Sequence, residues 1–390
     1  MLHRLTTGLL AGLLLLTCAG AAPTVDRATV EGALAAVARP EGTWNGGLLL
    51  LAPGLHPDDV PLSADLDVDD AFHRALLSQG WMIATTSYRR TGVIVADAME
   101  DLDRLHAWVA ARYGEPRRTV IEGKSMGGLI AVLLAERDRS PYDGVVAIGA
   151  ALDLREPSTG IGVNLRPRRP VVFLSNQTEL EAPRRYAGGI PGVDREIVHP
   201  VVFRVPRDRH VNVHAAERLY AFRALLAWLD RGRGALPPEV RGDNVEARQR
   251  PAIIAAKGAP PRLSDAEIHD ATQVPAPRPS EVLPDADGRG LVATVVAVTP
   301  VYGNVTLNVQ VADLDAIGLR PGAYFQLRTG AQTVRVLYGR DFSSVERGQW
   351  VLFPSAEGYF WLARNFANAA TSAGLSVGDA VHVRRYEPQN

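Results

Sequence analysis

At 390 residues the chain exceeds what one ordinary core accommodates, so two domains and a leader are expected. With 46% hydrophobic and 22% charged residues it has a globular composition, and a formal net charge of -1 supplies no electrostatic reason to bind nucleic acid. A small neutral or mixed-charge substrate suits that balance, and nothing in the sequence asks for a cofactor.

The first residues read as an export signal. His3 and Arg4 give a short positive start, residues 9–16 an apolar run, and Ala19-Gly20-Ala21 a small-residue cleavage site. Cleavage after Ala21 would start the mature chain at Ala22 and place it in the periplasm or outside the cell. The apolar run falls short of the roughly 20 residues a membrane span needs, and no other segment reaches that length. Cys18 is the only cysteine and lies in this leader, which excludes thiol chemistry and internal disulfides for the cleaved protein. Thr17 precedes it where bacterial lipoprotein signals carry Gly, Ala or Ser, so lipid anchoring at Cys18 is the lesser alternative.

From residue 44 short apolar runs alternate with amphipathic stretches, the pattern of a mostly parallel sheet flanked by helices. Strands are predicted over 48–52, 81–86, 119–122, 145–148, 171–174 and 201–205. Leu102, Leu105 and Val109 recur at helical spacing within 97–113, as do Leu219, Phe222, Leu226 and Leu229 within 215–229. A first, α/β domain therefore spans 22–234. Prolines at 237, 238, 251, 260, 261, 275, 277, 279 and 284 then block helices and central strands, which predicts an extended connector over 235–290. Beyond it the pattern is β-rich, with strands predicted over 292–298, 305–309, 324–327, 333–337, 350–353, 359–363 and 380–384. Gly and Asp punctuate them, as in a small barrel-like domain spanning 291–390.

The strongest local signal is Gly123-Lys124-Ser125-Met126-Gly127-Gly128. Such a short motif also occurs in inert glycine-rich turns. Here it follows the predicted strand 119–122 and opens an apolar helix over 129–135, the setting in which a strained turn holds a serine hydroxyl clear of the backbone. A serine becomes a useful nucleophile only when a base takes its proton and an acid orients that base. After strand 171–174 comes Ser175-Asn176-Gln177-Thr178-Glu179-Leu180-Glu181, where Glu179 has the offset expected of the acid and Glu181 competes with it. After strand 201–205 comes Arg207-Asp208-Arg209-His210-Val211-Asn212, where His210 is the candidate base. His214, at the mouth of the following helix, is the alternative but suits a cap or the core; His199 precedes its strand and belongs to the other edge. The oxyanion needs two backbone donors, for which Met126 and, after the strand 48–52, Leu55 behind Pro53-Gly54 are the candidates.

Over residues 44–231 these features resemble the α/β-hydrolases, which carry nucleophile, acid and histidine in this order. The departures are Pro53-Gly54 where many members have His-Gly, and Glu in place of Asp. The resemblance implies a serine hydrolase whose triad is Ser125, His210 and Glu179. An ester substrate fits better than a peptide-like one, since no site for a substrate amine can be read. Only residues 149–170 separate the strand 145–148 from the acid strand, so the cleft is expected to be fairly open. The loop 56–70 could cover it, while Tyr88 and Arg89 either line a wall or simply pack. Asp65, Asp67 and Asp69 alternate as in calcium loops, but Asp70 stands where Gly is needed, so no metal is assigned.

Tyr302-Gly303-Asn304-Val305-Thr306-Leu307-Asn308-Val309, the run 342–348, and Arg364-Asn365-Phe366-Ala367-Asn368-Ala369-Ala370 resemble the carboxy-terminal domain of the S-adenosylmethionine hydroxide adenosyltransferase and fluorinase family. The likeness covers about 291–386 and implies nucleoside contacts at Asn304, Arg364 and Asn365. The amino-terminal domain of that family has no counterpart here, so the plainer reading is that these polar residues satisfy turns of a small barrel. The rival to a hydrolase is a protein whose first domain is inert and whose second domain binds a nucleoside or mediates oligomerisation.

Overall fold

The computed structural model describes residues 23–56, 60–191, 196–206, 210–233, 239–241, 279–299, 303–330, 332–354 and 358–385. The leader with Cys18, most of the proline-rich connector, Arg207 to Arg209 and Tyr302 lie outside the described residues.

Periodicity alone begins the sheet at residue 48, but an antiparallel hairpin, β1 (Thr24–Val30) and β2 (Ala33–Arg39), precedes it. Its turn is Glu31-Gly32, both at positive φ (45° and 93°), a two-residue connection whose twist matches the strands. The alanine-rich β2 carries little β-propensity, and its burial between neighbours makes it a strand. There follow β3 (Gly47–Ala52), helix α1 (Ala71–Leu77), β4 (Met82–Thr86), α2 (Val95–Tyr113), β5 (Arg118–Lys124), α3 (Met126–Ala135), β6 (Gly144–Ile148), β7 (Val171–Asn176), α4 (Glu181–Gly188), β8 (Val201–Val205), α5 (Ala215–Arg231) and β9 (Glu239–Arg241). The nine strands lie in the order β1-β2-β4-β3-β5-β6-β7-β8-β9, parallel from β4 onward. The connector is thus shorter than 235–290, because Glu239–Arg241 pairs with β8 as the last strand of this sheet.

Alternate residues of the central strands face opposite layers, as the pleat requires. Leu48, Leu50, Val145, Ala147, Val171 and Phe173 pack with Leu102 of α2 and Leu129 of α3. Leu49, Val146, Ile148, Val172 and Leu174 pack with Leu76 of α1 and Phe222 of α5. Burial on both faces explains why these strands read as continuous apolar runs.

The second domain comprises β10 (Leu283–Pro284), β11 (Gly290–Val298), β12 (Val305–Leu307), β13 (Tyr324–Arg328), β14 (Thr333–Tyr338), β15 (Trp350–Pro354), β16 (Phe360–Arg364) and β17 (Ala380–Arg385). Their order is β10-β11-β12-β16-β15-β14-β13-β17, and pairing of β17 with β11 closes a barrel. Leu291, Val305, Phe325, Leu352, Phe360 and Val383 fill it. No described helix of either domain is long and apolar enough to cross a membrane.

Candidate active site

The parallel register brings the ends of four strands into line. Lys124, Ile148, Leu174 and Phe203 are successive neighbours across β5, β6, β7 and β8, so the segments leaving these strands meet at one edge. Ser125 leaves β5 there with φ 56° and ψ -119°, a conformation that side-chain-bearing residues avoid. Its amide donates to Ile148 O at 2.9 Å and its carbonyl accepts from Ala151 at 3.0 Å, bonds that hold the turn. The glycines are sterically required, because a Cβ on Gly123 would overlap the Gly127 carbonyl and one on Gly127 the carbonyl of Ala52.

Glu179 closes a short 3-10 turn (Gln177–Glu179) directly after β7, and Glu179 Oε1 is hydrogen-bonded to His210 Nδ1. The second carboxylate oxygen accepts from the Val211 amide at 3.4 Å. Gly149, next to the carbonyl that fixes Ser125, lies against this pair: a Cβ there would sit 3.0 Å from Glu179 Oε2. Glu181, by contrast, is a surface carboxylate bonded to Arg185 at 3.0 Å. His214 stands just before α5, its amide donating to Glu217 at 2.9 Å, so the structure gives it a capping place.

Met126 is the first residue of α3, where an amide has no acceptor within its helix. The start of α3 is pressed against Ala52 and Pro53, which sets the Leu55 loop beside the elbow. Tyr88, 1% exposed and at φ 57°, donates its hydroxyl to Pro53 O at 3.0 Å and so supports the same loop. Arg89 is held by Asp101, with Nε to Oδ1 at 2.8 Å, and by Glu100, which makes it a structural cation.

Behind the elbow, on the α1 and α5 side, lies a buried charge network. Arg218 donates to Glu122 Oε1 at 2.6 Å, to both Asp70 oxygens at 3.1 Å and to His73 Nε2 at 3.1 Å, while its guanidinium covers the Phe72 ring. His73 Nε2 must then be the acceptor, leaving Nδ1 to donate to Asp67 O at 2.6 Å. Burial, followed by the Arg218 charge, lowers the His73 pKa and keeps the ring neutral. Burial works to raise the Asp70 pKa, but the Arg218 charge and the hydrogen bond from the His73 amide hold the group low. Lys124, immediately before the serine, is lowered to about 8, first by the Arg218 charge and then by burial. Asp67 caps its own turn, accepting from the Asp69 amide at 2.8 Å, and Asp70 caps α1. The acidic loop is therefore fastened from within.

In the barrel, β12 runs against β16, with Val305 opposite Leu362, so Asn304 and the pair Arg364 and Asn365 reach the same end. Arg364 Nε donates to Gly348 O at 3.0 Å and Asn365 Nδ2 to Val345 O at 2.8 Å. Asn308 Oδ1 accepts from the Thr294 amide at 2.7 Å, as a turn residue would. Residues 293–382 match the family model of the SAM hydroxide adenosyltransferase C-terminal domain. No curated protein matches the chain. Solved structures similar to it include an uncharacterized conserved protein from Thermotoga maritima, at 17% identity and TM-score 0.26 over 40% of this chain; the chain spans only 52% of that protein. A putative dienelactone hydrolase from Klebsiella pneumoniae is 17% identical, with TM-score 0.42, over 54% of this chain and 100% of that one. An acylaminoacyl peptidase from Pyrococcus horikoshii is 10% identical, with TM-score 0.40, over 57% of this chain and 44% of its own.

Two further residues bear on the site although no motif assigns them that part. Asn176, fully buried at the end of β7, accepts from the Asn212 amide at 2.8 Å and donates to the Asn212 carbonyl at 2.7 Å, which clamps the histidine loop. Phe342 of the SAM hydroxide adenosyltransferase C-terminal-like domain meets the His210 ring. An Asn at a buried strand end was the only available signal for the first; the second depends on how the two domains meet.

Proposed function

We propose that the chain is a serine hydrolase that cleaves carboxylic esters by way of an acyl-enzyme. The observation that carries this reading is the backbone of Ser125, held at positive φ between a required glycine pair, at the sheet edge where the segments bearing the hydrogen-bonded His210 and Glu179 also leave their strands. Nδ1 of His210 is engaged by Glu179, so Nε2 is the nitrogen left for the serine proton. Ser125 Oγ attacks the ester carbonyl as Nε2 takes its proton, and the Met126 and Leu55 amides receive the oxyanion. Collapse expels the alcohol, protonated by Nε2. Water, deprotonated by the same nitrogen, then releases the acid and restores the hydroxyl.

Hydrolysis of a panel of simple esters and peptides tests this. Esters should turn over, Ser125→Ala should lower kcat/KM by about 10⁴ or more, and His210→Gln should do nearly the same because the two act as a unit. Peptide cleavage exceeding ester cleavage would displace the esterase reading, and full activity in Ser125→Ala would end it. We further propose export with removal of residues 1–21. Amino-terminal sequencing of the secreted protein should begin at Ala22, and an intact leader would overturn this.

A further inference from the structure

Both faces of the hairpin β15–β16 are apolar. Leu352, Phe360 and Leu362 face the barrel core, whereas the alternate residues Val351, Phe353 and Ala363 point away from it and are still only 0%, 1% and 0% exposed. Phe342, Val345 and Trp361 pack over them as a separate cluster. This cluster adds nothing to the barrel core; it backs the partly buried Phe342, Val345 and Trp361 with a close-packed apolar layer. Its aromatic rings form a run of edge-on contacts that ends on the hydrolase domain. His210 and Phe342 centroids are 6.1 Å apart at 80°, Phe342 and Phe353 4.9 Å at 71°, and Phe353 and Trp361 6.0 Å at 75°.

The segment that presents Phe342 is braced. The amides of Arg340 and Asp341 donate to Ser344 Oγ at 3.0 and 3.3 Å, and the Gly348 amide donates to Asn365 O at 2.7 Å. Together with the bonds from Arg364 to Gly348 and from Asn365 to Val345, these fix the loop on the end of β16. The side chains to which the family resemblance assigns a nucleoside here tie down the loop that reaches the imidazole.

We propose that the second domain closes over the catalytic edge of the first, and that Phe342, backed by Phe353 and Trp361, is the specificity wall for an apolar or aromatic leaving alcohol. The side of the substrate follows from the chemistry. Nε2 of His210 must protonate the departing oxygen, so the group attached to that oxygen passes beside the imidazole, where the Phe342 ring lies. This inference rests on the serine-esterase reading.

The test uses the full chain and acetate esters that differ only in the alcohol, with active sites counted by fluorophosphonate labelling. In Phe342→Ala the ratio of kcat/KM for benzyl over ethyl acetate should fall about tenfold, a contact loss of the size that discriminates between pocket groups. Both rates are taken per labelled site, so a general loss of activity from the change beside His210 cancels and only the ratio is read. Trp361→Ala should shift the ratio the same way by less. Phe342→Leu, which keeps apolar volume, should fall between, and with Trp361→Ala it carries the test if circular dichroism shows Phe342→Ala unfolded. A labelled wild type whose ratio is unchanged in the folded variants overturns the wall while leaving the hydrolase intact. A wild type that is not labelled overturns the hydrolase reading and this inference with it.

Discussion

Single side chains at the site have separable expected effects. Glu179 and Glu181 lie two positions apart, but only Glu179 reaches the histidine, so Glu179→Gln should lower kcat by about 10²–10⁴ through the wrong tautomer while Glu181→Gln leaves it nearly unchanged. Steady-state kinetics of the two variants distinguishes them, and equal losses would contradict the assignment. Tyr88→Phe removes the hydroxyl that holds Pro53 O and should reduce kcat with little change in KM, because the loop it steadies carries the proposed oxyanion donor Leu55. Lys124 gives a pH effect of definite sign. Its folded pKa of about 8 lies below the ordinary 10.5, so the fold disfavours its charged form, fully so below pH 8. Stability should rise as the pH climbs from 8 towards 10.5, because the unfolded chain then binds more protons. Urea midpoints at about pH 7 and about pH 9.5 should show Lys124→Met gaining on wild type at the lower pH and losing that advantage at the higher. Ser125, Glu179 and His210 could be named as candidates from the sequence because each follows a strand end at a characteristic offset. Tyr88 was not, because its role depends on a positive φ and a bond to a residue on another strand, neither of which leaves a pattern in sequence.

At the level of elements, the apolar runs and helical spacings located β3 to β8, β11 to β17 and the long helices α2 and α5, since a buried strand or helix face writes itself into composition. The hairpin β1–β2 escaped because β2 is alanine-rich and is a strand by virtue of its neighbours. The short strand β9 escaped because two prolines precede it and its pairing with β8 is long-range. The elbow imposes its own steric rule: Gly127→Ala would drive a methyl into the Ala52 carbonyl, so the variant should lose both stability and labelling, and a normal melting temperature would contradict the packing described. The network around Arg218 ties α5 to α1 and β5, and Arg218→Met would strand the buried Glu122 carboxylate. The expected loss is about 3–5 kcal/mol, read from urea denaturation.

Among the described residues the first domain packs one apolar layer on each face of its sheet, and the second has its own core inside the barrel with a smaller cluster outside it. Cores built separately tend to unfold separately, so calorimetry should resolve two transitions, with Arg218→Met lowering only one of them. The change from one sheet to a second was readable around the proline-rich stretch, but the meeting of Phe342 with His210 was not, because such contacts follow from surfaces rather than periodicity. The serine carries the central claim, and the most direct measurement is peptide mapping of the fluorophosphonate-treated protein by mass spectrometry. The account predicts one adduct per chain, on Ser125, and its loss in His210→Gln. An adduct on another serine, or none on a folded protein, would contradict it.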